Sequence, residues 1–170
     1  MKARLLVRFT VSGRAEPRGS KTIGKAKNGR AFIRDDNRKS KAWMQRVAKC
    51  GALAMRARKF PPVDCPCLLV VTIYRTRPES HFNKSGLSQS SPVFPSTKPD
   101  LTKCIRGIED GLNGVVWTDD SRVVEQRTKK RFGDREEVLI EVYVMPSTLR
   151  EGGKLIADRQ QKRLIEERGW

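Results

Sequence analysis

Between Lys98 and Val124 the chain reads KPDLTKCIRGIEDGLNGVVWTDDSRVV, and five carboxylates fall inside it: Asp100, Glu109, Asp110, Asp119 and Asp120. Two chemistries are open to such a set. Crowded carboxylates raise one another's pKa unless a cation stands between them. A hard divalent ion such as Mg2+ relieves the crowding, taking one or two protein carboxylates together with waters and substrate phosphate. In phosphodiester cleavage such an ion activates the attacking water and stabilises the leaving oxygen, and Arg106 on the same segment can aim its guanidinium at phosphate charge. The other chemistry is salt bridging on a solvated surface. Asp100 is then a helix N-cap, Asp110 pairs with Arg106 at i,i+4, and Asp119-Asp120 is a polar turn.

The choice depends on the elements that carry these residues. Pro99-Asp100 is a helix-start signature in which Asp100 can cap the first turn. Leu101, Cys104, Ile105, Ile108 and Leu112 recur at helical spacing and predict one buried face. Thr102, Arg106 and Asp110 stack along another face. Asn113-Gly114 ends the helix. A helix of about 12 residues is roughly 18 Å long, and Val115 to Asp119 in extended form can return over about that distance. The two acidic ends of the segment can therefore meet, though nothing in the sequence forces them to.

Around this segment the chain alternates strand and helix patterns. Leu5, Val7, Phe9 and Val11 share one side of a period-two strand. A Gly-, Lys- and Arg-rich stretch follows, read as a mobile basic loop with a short hairpin around Asn28-Gly29. It is either plainly solvated or an arm that tracks a phosphate backbone. Asp35 or Asp36 can cap a helix from about Arg38 to Arg58, whose stripe of Trp43, Val47, Cys50 and Ala54 is core packing, and Pro61-Pro62 stops it. CLLVVTIYRTR, Cys67 to Arg77, is apolar enough to be a central strand covered on both faces. The Ser/Pro-rich connection after it exceeds the usual loop length and is expected to be a flexible flap near the site. Arg122 to Arg131 and Glu136 to Met145 are two strands joined at Phe132-Gly133-Asp134, expected to form a hairpin. The order β-α-β-α-β-β predicts one α+β (mixed α/β) domain, a small mixed sheet packed with helices, over residues 1–146. A charged helical tail is expected over 147–170.

The bulk numbers narrow the partners. The chain has 170 residues, 36 Lys and Arg against 19 Asp and Glu, and a formal net charge of +17. That excess, with a pI of about 10.3, is the electrostatic footprint of a nucleic-acid partner. A basic amphipathic helix suited to a membrane surface is missing, as is an apolar run long enough to span one. The N-terminus alternates instead of forming a signal-peptide block. Cys50, Cys65, Cys67 and Cys104 match no zinc spacing and are expected to be free thiols in a reducing, cytoplasmic setting. His81, alone in a polar loop, is read as a surface residue.

KPDLTKCIRGIEDGLNGVVWTDDSRVV followed by KKRFGDREEVLIEV resembles the signature of the RusA-like Holliday junction resolvases, small endonucleases of bacteria, phages and prophages. The likeness runs from about Thr97 to Val144, with weaker matches in EPRGSK and FIRDDNRKSKAW. It implies a crossover junction endodeoxyribonuclease that works as a symmetric homodimer on four-way DNA junctions, with Mg2+ (or Mn2+) as cofactor. By the motif, Asp100 and Asp120 are the catalytic metal-binding carboxylates, and Asp119 is expected to join them, with Asp110 as the other residue that could compensate for a missing ligand. Arg106 stands where the family usually has an essential Lys, and Asp110 matches the helix-interior Asp. One departure is marked: the family's second Asp, two residues after the first, is Thr102 here. A hydroxyl can orient water or phosphate but does not replace a negative charge. Lys98, Lys103, Lys129, Lys130 and Arg131 are expected phosphate contacts, which position DNA without reading its sequence. The rival expectation is a non-catalytic nucleic-acid-binding protein on the same scaffold, its metal site decayed at Thr102.

Overall fold

The computed structural model describes residues 3–19, 21–25, 28, 30–35 and 39–147. Four strands form the central sheet: β1 (Arg4–Ser12), β4 (Cys67–Arg75), β7 (Val123–Phe132) and β8 (Glu137–Val144). Two helices, α1 (Ser40–Ala57) and α2 (Leu101–Leu112), flank it. Two small ribbons complete the described chain, β2 (Lys21–Lys25) with β3 (Ala31–Asp35) and β5 (Phe82–Asn83) with β6 (Gly86–Leu87). The result is the mixed α/β architecture expected, a central sheet with flanking helices. The tail expected over 147–170 lies outside the described residues beyond Ser147.

The sheet order is β1-β8-β4-β7, which corrects the expected hairpin. β7 and β8 are consecutive but do not pair, because β4 lies between them, parallel to β7 and antiparallel to β8. The physical reason is burial. Leu69, Val71 and Ile73 of β4 are at most 1% exposed, and Leu68 and Thr72 on the opposite side are 5% exposed. Only a strand with a neighbour on each edge reaches that state, whereas β7 alternates between half-buried and exposed residues and suits an edge. Parallel pairing of β4 with β7 requires a long crossover, and residues 76–122, including α2, supply it.

The core lies between this sheet and the helix pair. Trp43, Val47 and Met55 of α1 and Cys104, Ile105, Ile108 and Leu112 of α2 meet Val7, Val11, Val138, Ile140 and Val142 of the sheet. Gly111 permits the close helix crossing: a Cβ there would stand 2.9 Å from the Met44 carbonyl oxygen and 3.2 Å from the Val47 side chain. In β1 a bulge between Leu5 and Val7 shifts the register. Leu6 turns inward at 3% exposed, while Leu5, expected on the core side, is 37% exposed. Of the two caps expected for α1, Asp35 belongs to β3 instead, and Asp36 lies outside the described residues.

All four cysteines are free. Burial drives the thiols of Cys67 and Cys104 up to about 12 and about 11, so both stay protonated and act as small apolar residues. Among the described residues no helix is long and apolar enough to cross a membrane.

Candidate nucleic-acid interface

α2 carries the site because its two sides differ. Cys104, Ile105, Ile108 and Leu112 anchor it in the core, which leaves Thr102, Lys103, Arg106 and Asp110 exposed. Its N-terminus lies by the far end of β7. The Lys130 ammonium donates to the carbonyl oxygens of Thr97 at 2.8 Å and Pro99 at 3.2 Å. Those two bonds fix the approach to Asp100, through a cis Lys98–Pro99 peptide. Asp100 is the N-cap residue but makes no side-chain capping bond. Its carboxylate is exposed and faces Lys103 at 3.8 Å.

Asp100 forms part of the wall of an open hollow of about 300 Å3, with Arg14, Glu16, Lys98 and Lys103 around it. Three cations against two carboxylates leave the rim net positive. Such a recess accepts a phosphodiester, with lysine and arginine as donors. Arg14 and Glu16 come from the segment after β1 and were not singled out by sequence reasoning. EPRGSK, the weakly matching stretch around them, is the signal that held them.

The other carboxylates gather toward the opposite end of α2. Glu109, half-buried, accepts a hydrogen bond from the Gln126 amide of β7 at 2.6 Å. Its carboxyl is held above the usual range, first by burial and then by the charges of Asp120 and Asp110, with Arg106 pulling the other way. Asp120 therefore stands near Glu109. Asp100 and Glu109 are nine residues apart in the helix, about 13 Å of axial rise. The extended return along the helix does not occur: Val116 N–H donates to Leu112 and Gly114 N–H to Trp117, a tight turn at the helix end. Asp119 is exposed, and its side chain accepts from the Ser121 N–H at 3.0 Å, which lowers its pKa. Asp110 pairs with Arg18 at 3.1 Å instead of with Arg106.

The expected phosphate contacts divide by role. Lys98 and Lys103 border the Asp100 hollow. Lys129 is exposed on β7. Lys130 is committed to the Thr97 and Pro99 carbonyls, and the Arg131 guanidinium lies 4.6 Å over the Phe94 ring. As for a metal, no group of three His, Cys, Asp or Glu side chains among the described residues is placed to hold an ion. Thr102, exposed on the first turn, adds no charge. The three expected ligands are divided, Asp100 at the N-terminus of α2 and Asp119 with Asp120 after its C-terminus.

Comparison with known proteins agrees with this architecture. The family model described as "Endodeoxyribonuclease RusA" matches residues 13–143. The chain is also similar to "Uncharacterized protein YqaN" of Bacillus subtilis (strain 168), 32% identical over 139 residues that cover 79% of this chain and 94% of that protein.

Proposed function

The chain belongs to the RusA endodeoxyribonuclease family, and from that premise we propose that it binds branched DNA, four-way junctions above all, with its family metal site attenuated. The observation that carries this reading is the setting of Asp100: a cationic hollow walled by Arg14, Lys98 and Lys103, with a threonine where the motif would supply a second carboxylate. The hollow suits a phosphate of the DNA backbone. Lys129 and the net charge of +17 extend the grip to neighbouring arms. Arg106, exposed on α2, is a further phosphate donor in this reading. The family match over residues 13–143 supports taking 1–146 as the binding domain and 147–170 as an appended tail, and the family resemblance supports a homodimer as the acting form.

A second reading is Mg2+-dependent resolution of Holliday junctions by paired phosphodiester cleavage. It is favoured by Asp100, Asp119 and Asp120, which keep three of the motif's carboxylate positions and are all exposed. In that reading Asp100, or Asp119 with Asp120 past the other end of α2, would hold the ion, which would supply water activation, and Arg106 would steady phosphate charge. One experiment separates the readings: incubation of the full chain with a labelled four-way junction, in EDTA and in Mg2+ or Mn2+. Junction-selective binding with no metal-dependent scission is the expected result. Efficient paired cuts, abolished by Asp100→Asn with binding intact, would replace the first reading with the second.

A further inference from the structure

The connection expected to be a flexible flap is built instead. Residues 79–97 contain the β5–β6 ribbon, whose Phe82 and Leu87 pair across the strands. The two limbs are tied together by Ser88 N–H to the His81 carbonyl oxygen at 2.9 Å, by the Ser91 hydroxyl to the same oxygen at 2.8 Å, and by Arg77 to the Pro92 carbonyl oxygen at 2.9 Å. The flap nonetheless leaves much apolar surface uncovered. Phe82 is 51% exposed, Leu87 51%, Val93 72% and Phe94 53%; they are half of the large hydrophobic residues left exposed among the described ones. Scattered single exposures are ordinary, whereas four between Phe82 and Phe94 need a reason.

The rings alternate with cations. Arg77 lies 4.1 Å over the Phe132 ring, and Arg131 4.6 Å over Phe94. His81 meets Phe132 edge to face at 5.5 Å. Phe82 and Phe94 line separate hollows that share Thr76 and Phe132, so Phe132 stands between them. Thr97 lines the hollow of Phe94, and the next residue, Lys98, lines the hollow of Asp100. The aromatic patch thus adjoins the phosphate hollow. Aromatic faces interleaved with guanidinium groups are what an unstacked nucleobase needs: a π surface below it and cations for its flanking phosphates. Around the patch Arg77, Lys84 and Arg131 outnumber Glu79 and Asp134, a balance that DNA complements.

We infer that Phe82 and Phe94 form a stacking platform for nucleobases unstacked at the branch point of a DNA junction. The inference rests on the branched-DNA reading and assigns to the flap the part of junction recognition that phosphate contacts cannot give. Duplex arms present phosphates everywhere, but free base faces occur only where the arms exchange.

The test uses the full chain and a four-way junction with 2-aminopurine beside the crossover, or in mid-arm as a control. Wild type is expected to change the crossover fluorescence and leave the mid-arm probe unchanged. F82A/F94A and F82L/F94L should both lose that change and lose about tenfold in junction affinity, while duplex affinity, being electrostatic, stays within about twofold. F94W should retain the signal. The leucine pair keeps apolar volume without a π-face, so its loss cannot be ascribed to unfolding when its melting curve matches wild type. An F82L/F94L protein with unaltered crossover signal and junction affinity overturns the inference and leaves the binding reading standing. Equal loss on duplex and junction also overturns it, as does loss of self-association without loss of the signal. Wild type that fails to prefer junction over duplex removes the binding reading itself.

Discussion

Gln126 donates its amide to the Glu109 carboxylate at 2.6 Å and so ties β7 to the last turn of α2, where Asp120 adds a second negative charge. The arrangement has a pH signature. Burial and like charge hold the Glu109 carboxyl above its ordinary value. A carboxyl raised on folding binds its proton more tightly in the native state. Stability therefore falls as pH rises through the interval between its ordinary and its raised value. Glu109→Gln removes that loss and keeps a partner for Gln126. Its melting temperature is expected to exceed wild type at neutral pH by on the order of 1–3 °C, with solvent screening keeping the gain small. The gap should close below the carboxylate range. Calorimetry across pH checks it; a variant less stable than wild type at pH 7 contradicts it.

Thr102→Asp restores the carboxylate that the family motif carries. Asp on the first turn is also favoured by the helix dipole, so the substitution should not unfold α2. The attenuated-site reading expects Mg2+-dependent scission of a four-way junction to appear, at least about tenfold above the wild-type background, given that a metal site gains strongly from each charged ligand. Gel-resolved single-turnover cleavage measures it. No gain in a folded, junction-binding variant argues that Thr102 is not what limits the site.

Lys98→Ala and Lys129→Ala each remove one proposed phosphate contact. Each should weaken binding alike for all junction sequences and reduce the log–log salt slope by about 0.9. Fluorescence anisotropy over a salt series reads this directly. An unchanged slope would place that lysine off the DNA path.

Gly111→Ala tests the support of the site. The added methyl meets backbone at the Met44 carbonyl and the Val47 side chain, so α1 and α2 must part. A loss of about 1–3 kcal/mol is expected from overpacking, seen as a lower denaturant midpoint. Junction affinity should fall only where the protein unfolds.

Much of this was legible in the sequence, and the failures are specific. The buried face of α2 follows from Cys104, Ile105, Ile108 and Leu112 at helical spacing, because burial of a helix is decided by its own periodicity. The partner of a strand is not. Nothing in the alternation of Val123–Phe132 says that β4, more than fifty residues earlier, lies between it and Glu137–Val144. The same limit hid the Arg18–Asp110 pair, since the local i,i+4 partner was the only one the sequence displays. Glu109 was counted among the acidic residues but given no role. Its position three residues after Arg106 and seven after Thr102, on one helical face, was the available clue. The order of the flap was missed because a Ser/Pro-rich composition marks a loop whether or not its own hydrogen bonds fold it.

The parallel pairing of β4 with β7 requires the long excursion between them. Flap, Asp100, α2 and Asp120 all lie between two neighbouring strands, while the buried face of α2 seals the core against the sheet. The excursion carries the proposed platform and most of the candidate site, with Arg14 and Glu16 added from the segment after β1. Lengthening the ribbon or rewriting its rings changes what is recognised without asking the β-scaffold to refold, so relatives sharing this sheet can diverge in target while keeping one chassis.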